Sequence, residues 1–111
     1  MTDPLAKPQD LFSVEGKVAL ITGASGAFGA VAARTLAAAG AKLMLSAGRA
    51  KELGAIASDC RARGAEVEEH VGRPASEKAC DAMAARAIER FGRIDILVVA
   101  SGKNDVAKIV D

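Results

Sequence analysis

The chain has no tyrosine and no tryptophan, and three phenylalanines are its whole aromatic content. A phenolic hydroxyl is therefore excluded as acid, base or nucleophile anywhere in these 111 residues. His70 is the one histidine, and Cys60 and Cys80 are the two cysteines, with no CxxC spacing. One imidazole and two scattered thiols make a poor metal site. Both cysteines fall on apolar stripes of expected helices and read as small buried hydrophobes. No apolar run approaches the ~18 residues of a membrane span. Neither sign of charge dominates: 15 Lys+Arg stand against 14 Asp+Glu, interleaved, for a net charge of +1. That argues against nucleic acid or an anionic membrane surface as the main partner. Met1 to Asp10 is polar, holds Pro4 and Pro8, and has neither a signal-peptide core nor an Arg-rich transit pattern. A cytoplasmic protein is the expectation.

What is present is an ordinary globular composition, 50% apolar and 26% charged, with length for one domain. Its central stretch is Lys17-Val18-Ala19-Leu20-Ile21-Thr22-Gly23-Ala24-Ser25-Gly26-Ala27-Phe28-Gly29. A run of apolar, partly β-branched residues reads as a strand buried on both faces. A glycine-rich turn and an alanine-rich helix follow. Strand, glycine turn and helix in that order build a phosphate pocket, because glycine lets the backbone approach and the helix start presents free N–H groups.

Residues 1–16 read as a tail, with Leu11-Phe12-Ser13-Val14 as an apolar anchor against the first strand. The expected elements are strands at 17–22, 41–47, 66–71 and 94–100, alternating with helices. The first helix runs from about Ala27 to Ala39, its small residues Ala30, Ala32, Ala33, Ala37 and Ala38 suited to a close approach to a sheet. The second spans 49–63, with Leu53, Ile56, Ala57 and Cys60 at helical spacing. Ser76 is a good N-cap for the third, which carries Ala79, Cys80, Met83, Ala84, Ala87, Ile88 and Phe91 on one face and ends at Gly92. Alternation of this kind implies parallel strands with right-handed crossovers. The fold class is α/β: a Rossmann-like, doubly wound parallel sheet in the order 3-2-1-4, truncated after the fourth strand, over residues 17–111.

Gly16-Lys17-Val18-Ala19-Leu20-Ile21-Thr22-Gly23-Ala24-Ser25, Gly40-Ala41-Lys42 and Phe91-Gly92-Arg93-Ile94-Asp95-Ile96-Leu97-Val98 occur in one order. On these segments the chain resembles the N-terminal half of the short-chain dehydrogenase/reductase family, from about Leu11 to Asp111. The resemblance implies an oxidoreductase that moves hydride between a nicotinamide cofactor and an alcohol or carbonyl substrate. It places Gly23, Ser25, Gly26, Phe28 and Gly29 along the adenosine and pyrophosphate, and Ala100, Ser101 and Gly102 near the ribose. It also makes the end of strand two the selector between NAD and NADP. There Ala47 offers no carboxylate and Arg49 lies two residues on, which favours NADP over NAD; Arg49 otherwise begins a solvated helix face.

The departures from the family pattern are specific. Gly23, Gly26 and Gly29, with Ala27 between, follow the spacing of the family's extended branch. Arg73 stands where the family places an adenine-contacting Asp, and Val99-Ala100-Ser101-Gly102 replaces Asn-Asn-Ala-Gly. The family's catalytic Ser and Tyr-x-x-x-Lys lie beyond strand four and have no counterpart here. Lys103 and Lys108 read as surface residues, and no catalytic residue is assigned. Two other readings stand beside the oxidoreductase. One is an inactive nucleotide-binding or interaction module. The other, suggested by Gly26, is an extended-branch epimerase or dehydratase. Strand four at an open sheet edge implies a homo-oligomer or aggregation.

Overall fold

Val18, Ala19 and Ile21 are fully buried, and so are Leu43, Met44 and Leu45. Such residues can be covered on both sides only at the centre of a layered sheet. The computed structural model describes residues 11–102. The tail prolines, Lys103, Lys108 and the stub from Val106 to Asp111 lie outside the described residues. Seven elements follow in chain order: β1 (Val18–Thr22), α1 (Ala27–Ala38), β2 (Lys42–Ala47), α2 (Ala50–Ala62), β3 (Val67–Val71), α3 (Glu77–Phe91) and β4 (Ile96–Val99). All strand pairs are parallel, and the sheet order is β3-β2-β1-β4. Both the alternation and the 3-2-1-4 order expected from the sequence are present.

The two faces of the sheet are covered differently. Ala19, Ile21, Leu43, Leu45 and Val67 pack with α1 and α2 through Ala30, Ala33, Ala37, Leu53, Ile56, Ala57 and Cys60. On the other face Leu20 and Met44 cluster with Met83 and Ala87 of α3, with Phe91 and Ile94 at the margin. Small residues on α1 let it lie close to the strands, as the sequence suggests, but Ala38 turns to solvent.

Three other expectations are corrected. Cys80 is exposed, and Ile88 is 48% exposed, because α3 lies over β1 to β3 and no described element covers its far flank. Leu97 and Val99 on β4 share that uncovered region, at 61% and 65% exposure. The apolar anchor before β1 is reduced to Val14, which packs on the core while Leu11 and Phe12 project outward.

The β3 margin is charged. Glu68 pairs with Arg86 at 2.5 Å and Glu69 with Arg61 at 2.9 Å. Arg61 also donates to the Val67 carbonyl at 2.9 Å. At the opposite side, β4 is registered on β1 by a side chain. Asp95 Oδ2 accepts from the Val18 N–H at 2.9 Å, while Oδ1 takes Arg93 Nε at 3.0 Å and Nη2 at 2.6 Å. Gly92, at φ 81°, ends α3 in the left-handed conformation and turns the chain toward this contact. The conformation of Ser76 also matches expectation: its hydroxyl accepts from the Ala79 N–H at 3.1 Å.

Arg93, and next the Val18 N–H, hold the Asp95 carboxyl below its ordinary pKa. A carboxylate with a lowered folded pKa stabilises the fold above its unfolded value, about 4, and loses that contribution as pH falls through the folded value. D95N should therefore melt below wild type at neutral pH, and the two midpoints should converge below about pH 4. Thermal melts across a pH series check this.

Candidate functional site

The carboxyl ends of all four strands open on one side, and the strand ends, loops and first turn of α1 there carry every residue assigned to cofactor binding. In the order β3-β2-β1-β4 the sequence of strand addition reverses between β1 and β4, and in such sheets the crevice at the reversal is where ligands bind. An open cleft lies at that point, lined by Phe28, Ala32, Val98, Val99, Ala100, Ser101 and Gly102. Four of the assigned residues, Phe28, Ala100, Ser101 and Gly102, thus meet in one place. Phe28 is 85% exposed on the first turn of α1, an apolar ring on the wall of a cleft.

The turn between β1 and α1 is built from backbone in contact with backbone. Gly23 sits at φ 66°, and a Cβ there would lie 2.6 Å from Ser101 N and 2.7 Å from Ala100 C. Gly29 is held as tightly, its missing Cβ falling 2.7 Å from Gly23 C and 2.9 Å from Ala24 Cα. Two hydrogen bonds close the turn: the Ala24 N–H donates to Ser46 O and the Gly26 N–H to Gly23 O, both at 3.0 Å. The N-cap of α1 is Gly26, in extended conformation, and no side chain caps the helix. No acidic residue occupies the first turn. The free N–H groups and positive dipole end of a 12-residue helix are thus left for an anion. Ser25, half-buried, lies within this turn.

Beside the cleft, β4 is tied to β1 by the Thr22 and Ser101 hydroxyls at 2.9 Å and by the Ala100 N–H to Thr22 O at 3.2 Å. Ser101 stands beside the cleft with its hydroxyl engaged by Thr22. At the end of β2, Ala47 is only 3% exposed and belongs to the core, whereas Gly48 and Arg49 are exposed. The structure also brings Arg73 to this corner, against Gly48. Sequence reading noted Arg73 only as a departure from an acid. The reversed charge beside a side-chain-free position was the available clue.

No group of three or more His, Cys, Asp or Glu side chains that could hold a metal occurs among the described residues. No helix among them is long and apolar enough to cross a membrane. Cys60 is buried in the core, and burial, followed by neighbouring Asp59, raises its thiol pKa. Burial, then nearby Arg86, lowers the His70 pKa, and its Nδ1 is buried without a partner.

The tight glycines and the open one make opposite predictions. G29A forces a methyl into the backbone of the turn, so thermal melting without nucleotide should show a loss of about 1–3 kcal/mol. Gly102 has nothing within 4 Å of a built Cβ among the described residues, and G102A should melt like wild type.

Comparison with known proteins places this geometry. Residues 17–111 match the family model described as short chain dehydrogenase. An uncharacterized oxidoreductase of Mycobacterium tuberculosis is 43% identical over 100 residues, which is 90% of this chain and 36% of that protein. The chain thus spans about a third of the length of the curated relatives it matches. A short-chain dehydrogenase/reductase from Burkholderia phymatum, solved in complex with NAD, superposes with a TM-score of 0.74 at 36% identity, over 78% of this chain and 31% of that one. A metagenomic short-chain oxidoreductase in complex with NADP gives 0.71 at 36% identity, over 77% and 38%. Fold order, glycine turn and family match agree: the chain belongs to the short-chain dehydrogenase family.

Proposed function

We propose that this chain is the dinucleotide-binding portion of an NAD(P)-dependent oxidoreductase that transfers hydride between nicotinamide and an alcohol or carbonyl substrate. The observation that carries the reading is the cleft at the β1–β4 reversal beside the uncapped start of α1. In this reading the first-turn N–H groups of α1 take the pyrophosphate, and Gly23, Ser25, Gly26 and Gly29 form the surrounding turn. Phe28 supplies an apolar wall, and Ala100, Ser101 and Gly102 border the ribose. The nicotinamide, when bound, accepts or gives up the hydride. These residues bind and orient it, and the Thr22–Ser101 contact ties the β4 wall of the cleft to the end of β1.

NADP is the preferred cofactor in this proposal, since position 47 is a buried alanine and Arg49 follows the exposed Gly48. A carboxylate at that corner would repel a 2′-phosphate, and none is there. Among solved relatives, a xylitol dehydrogenase and the Burkholderia phymatum protein hold NAD, and the metagenomic oxidoreductase holds NADP. The substrate in the complete enzyme is a small alcohol/carbonyl pair, and the setting is cytoplasmic. The exposed Leu97 and Val99 of β4 support association with another chain, a homo-oligomer being the simplest.

A second reading has its own observation. The 111 residues contain no tyrosine, so they supply no phenolic acid/base for the hydride step. Alone, the chain is then a nucleotide-binding module. Fluorescence titration with NADPH and NADH should give saturable binding, and an assay over a panel of alcohols and carbonyls should give no turnover. A folded sample that binds neither nucleotide overturns the assignment of residues 22–29.

A further inference from the structure

Eight arginines lie in the described part of the chain, and their pairing is uneven. Arg34, Arg61, Arg63, Arg86, Arg90 and Arg93 each stand within ion-pairing distance of a carboxylate. Arg49 and Arg73 have no such partner among the described residues, and both adjoin Gly48, one in sequence and the other in space.

The loop leaving β3 explains why Arg73 reaches there. Gly72 is fastened to the end of β2 twice: its N–H donates to Ala47 O, and its carbonyl accepts from the Ser46 hydroxyl, each at 2.8 Å. Arg73 thus departs from a fixed point, and its side chain lies back across Gly48. A Cβ on Gly48 would fall 3.1 Å from both Cγ and Cζ of Arg73, and nearer still to Nε. Only a residue without a side chain admits the guanidinium in this position. The nucleotide-binding side of the sheet therefore carries a cation seated on the backbone beyond β2, where the adenosine ribose of a dinucleotide lies in this fold.

We infer that Arg73, seated on Gly48, is a cofactor-selecting residue that binds the 2′-phosphate of NADP together with Arg49. The inference rests on the nucleotide-binding reading above and names the group that discriminates between the two cofactors. A planar guanidinium with several N–H donors suits a phosphate monoester, and no carboxylate among the described residues pairs with it. Gly48 is part of the device, because a Cβ there would displace the guanidinium from this position. Stacking of Arg73 on adenine would be a different role, blind to the 2′-phosphate.

The test titrates the 111-residue chain and its R73Q, R73K and G48A variants with NADPH and NADH, following nucleotide fluorescence. Thermal midpoints without nucleotide are measured alongside. R73Q should weaken NADPH by about tenfold or more while NADH changes by less than about twofold. R73K, which keeps the charge without the fork, should fall between. G48A should move the NADPH-to-NADH ratio in the same direction as R73Q, with NADH binding retained as the sign of a folded site. Arg73 is exposed, so R73Q should melt like wild type. Equal losses for both nucleotides would assign Arg73 to adenine and overturn the selecting role. An unchanged ratio in R73Q would overturn it too, leaving nucleotide binding intact. Failure of folded wild type to bind either nucleotide would remove both.

Discussion

The carboxyl side of this molecule depends on one close approach, that of the Gly23 backbone to the backbone of Ala100 and Ser101. Three segments converge there: the end of β1, the start of α1 through Gly29, and the exit from β4. None leaves room for a side chain at the contact. A left-handed glycine at position 23 lets the chain reverse, and the same absence of Cβ lets β4 come up beside the turn. The cleft and the free end of α1 are consequences of that packing. Glycine here therefore serves the apo fold before it serves any phosphate. A pattern of glycines that suggests a ligand can equally record protein packing, and at Gly23 and Gly29 it records packing first.

Much of the architecture was legible because different levels of the sequence agree. The β1 and β2 segments are apolar enough to be buried on both faces, the helices carry Leu53, Ile56, Ala57 and Cys60 or Met83 and Ala87 at helical spacing, and glycines close α2 and α3. The segment from Phe91 to Val98 was read as a family signature, and the structure gives the physical reason for its pattern. Gly92 ends the helix, Arg93 holds Asp95, and Asp95 takes the N–H of Val18 at the beginning of β1. Four residues thus set the register of a strand pair separated by 77 positions in the chain.

What was not legible is what periodicity cannot see. An apolar stripe on α3 says that a face exists, not how much sheet lies beneath it, so Cys80 and Ile88 read as buried and are exposed. Leu11 and Phe12 looked like an anchor by composition, but the chain turns them outward and leaves Val14 to pack. The arginine beside Gly48 was hidden because it comes from the far end of β3, 25 residues along the chain from the position it covers. Only the parallel pairing of β2 with β3 and the tether through Gly72 bring the two together.

The two margins of the sheet were finished to different degrees, and this gives the structure a direction. Along β3, Leu43 N–H uses the Glu66 carbonyl and Gly72 N–H uses that of Ala47, so the intervening odd-numbered residues face away from β2. One of their carbonyls, on Val67, is already taken by Arg61, and carboxylates flank it on both faces. An added strand would have to displace a guanidinium and approach fixed charges. Along β4 it would meet Leu97 and Val99 instead. Charge thus guards the β3 margin against an added strand, and no such charge lies on the described residues of β4.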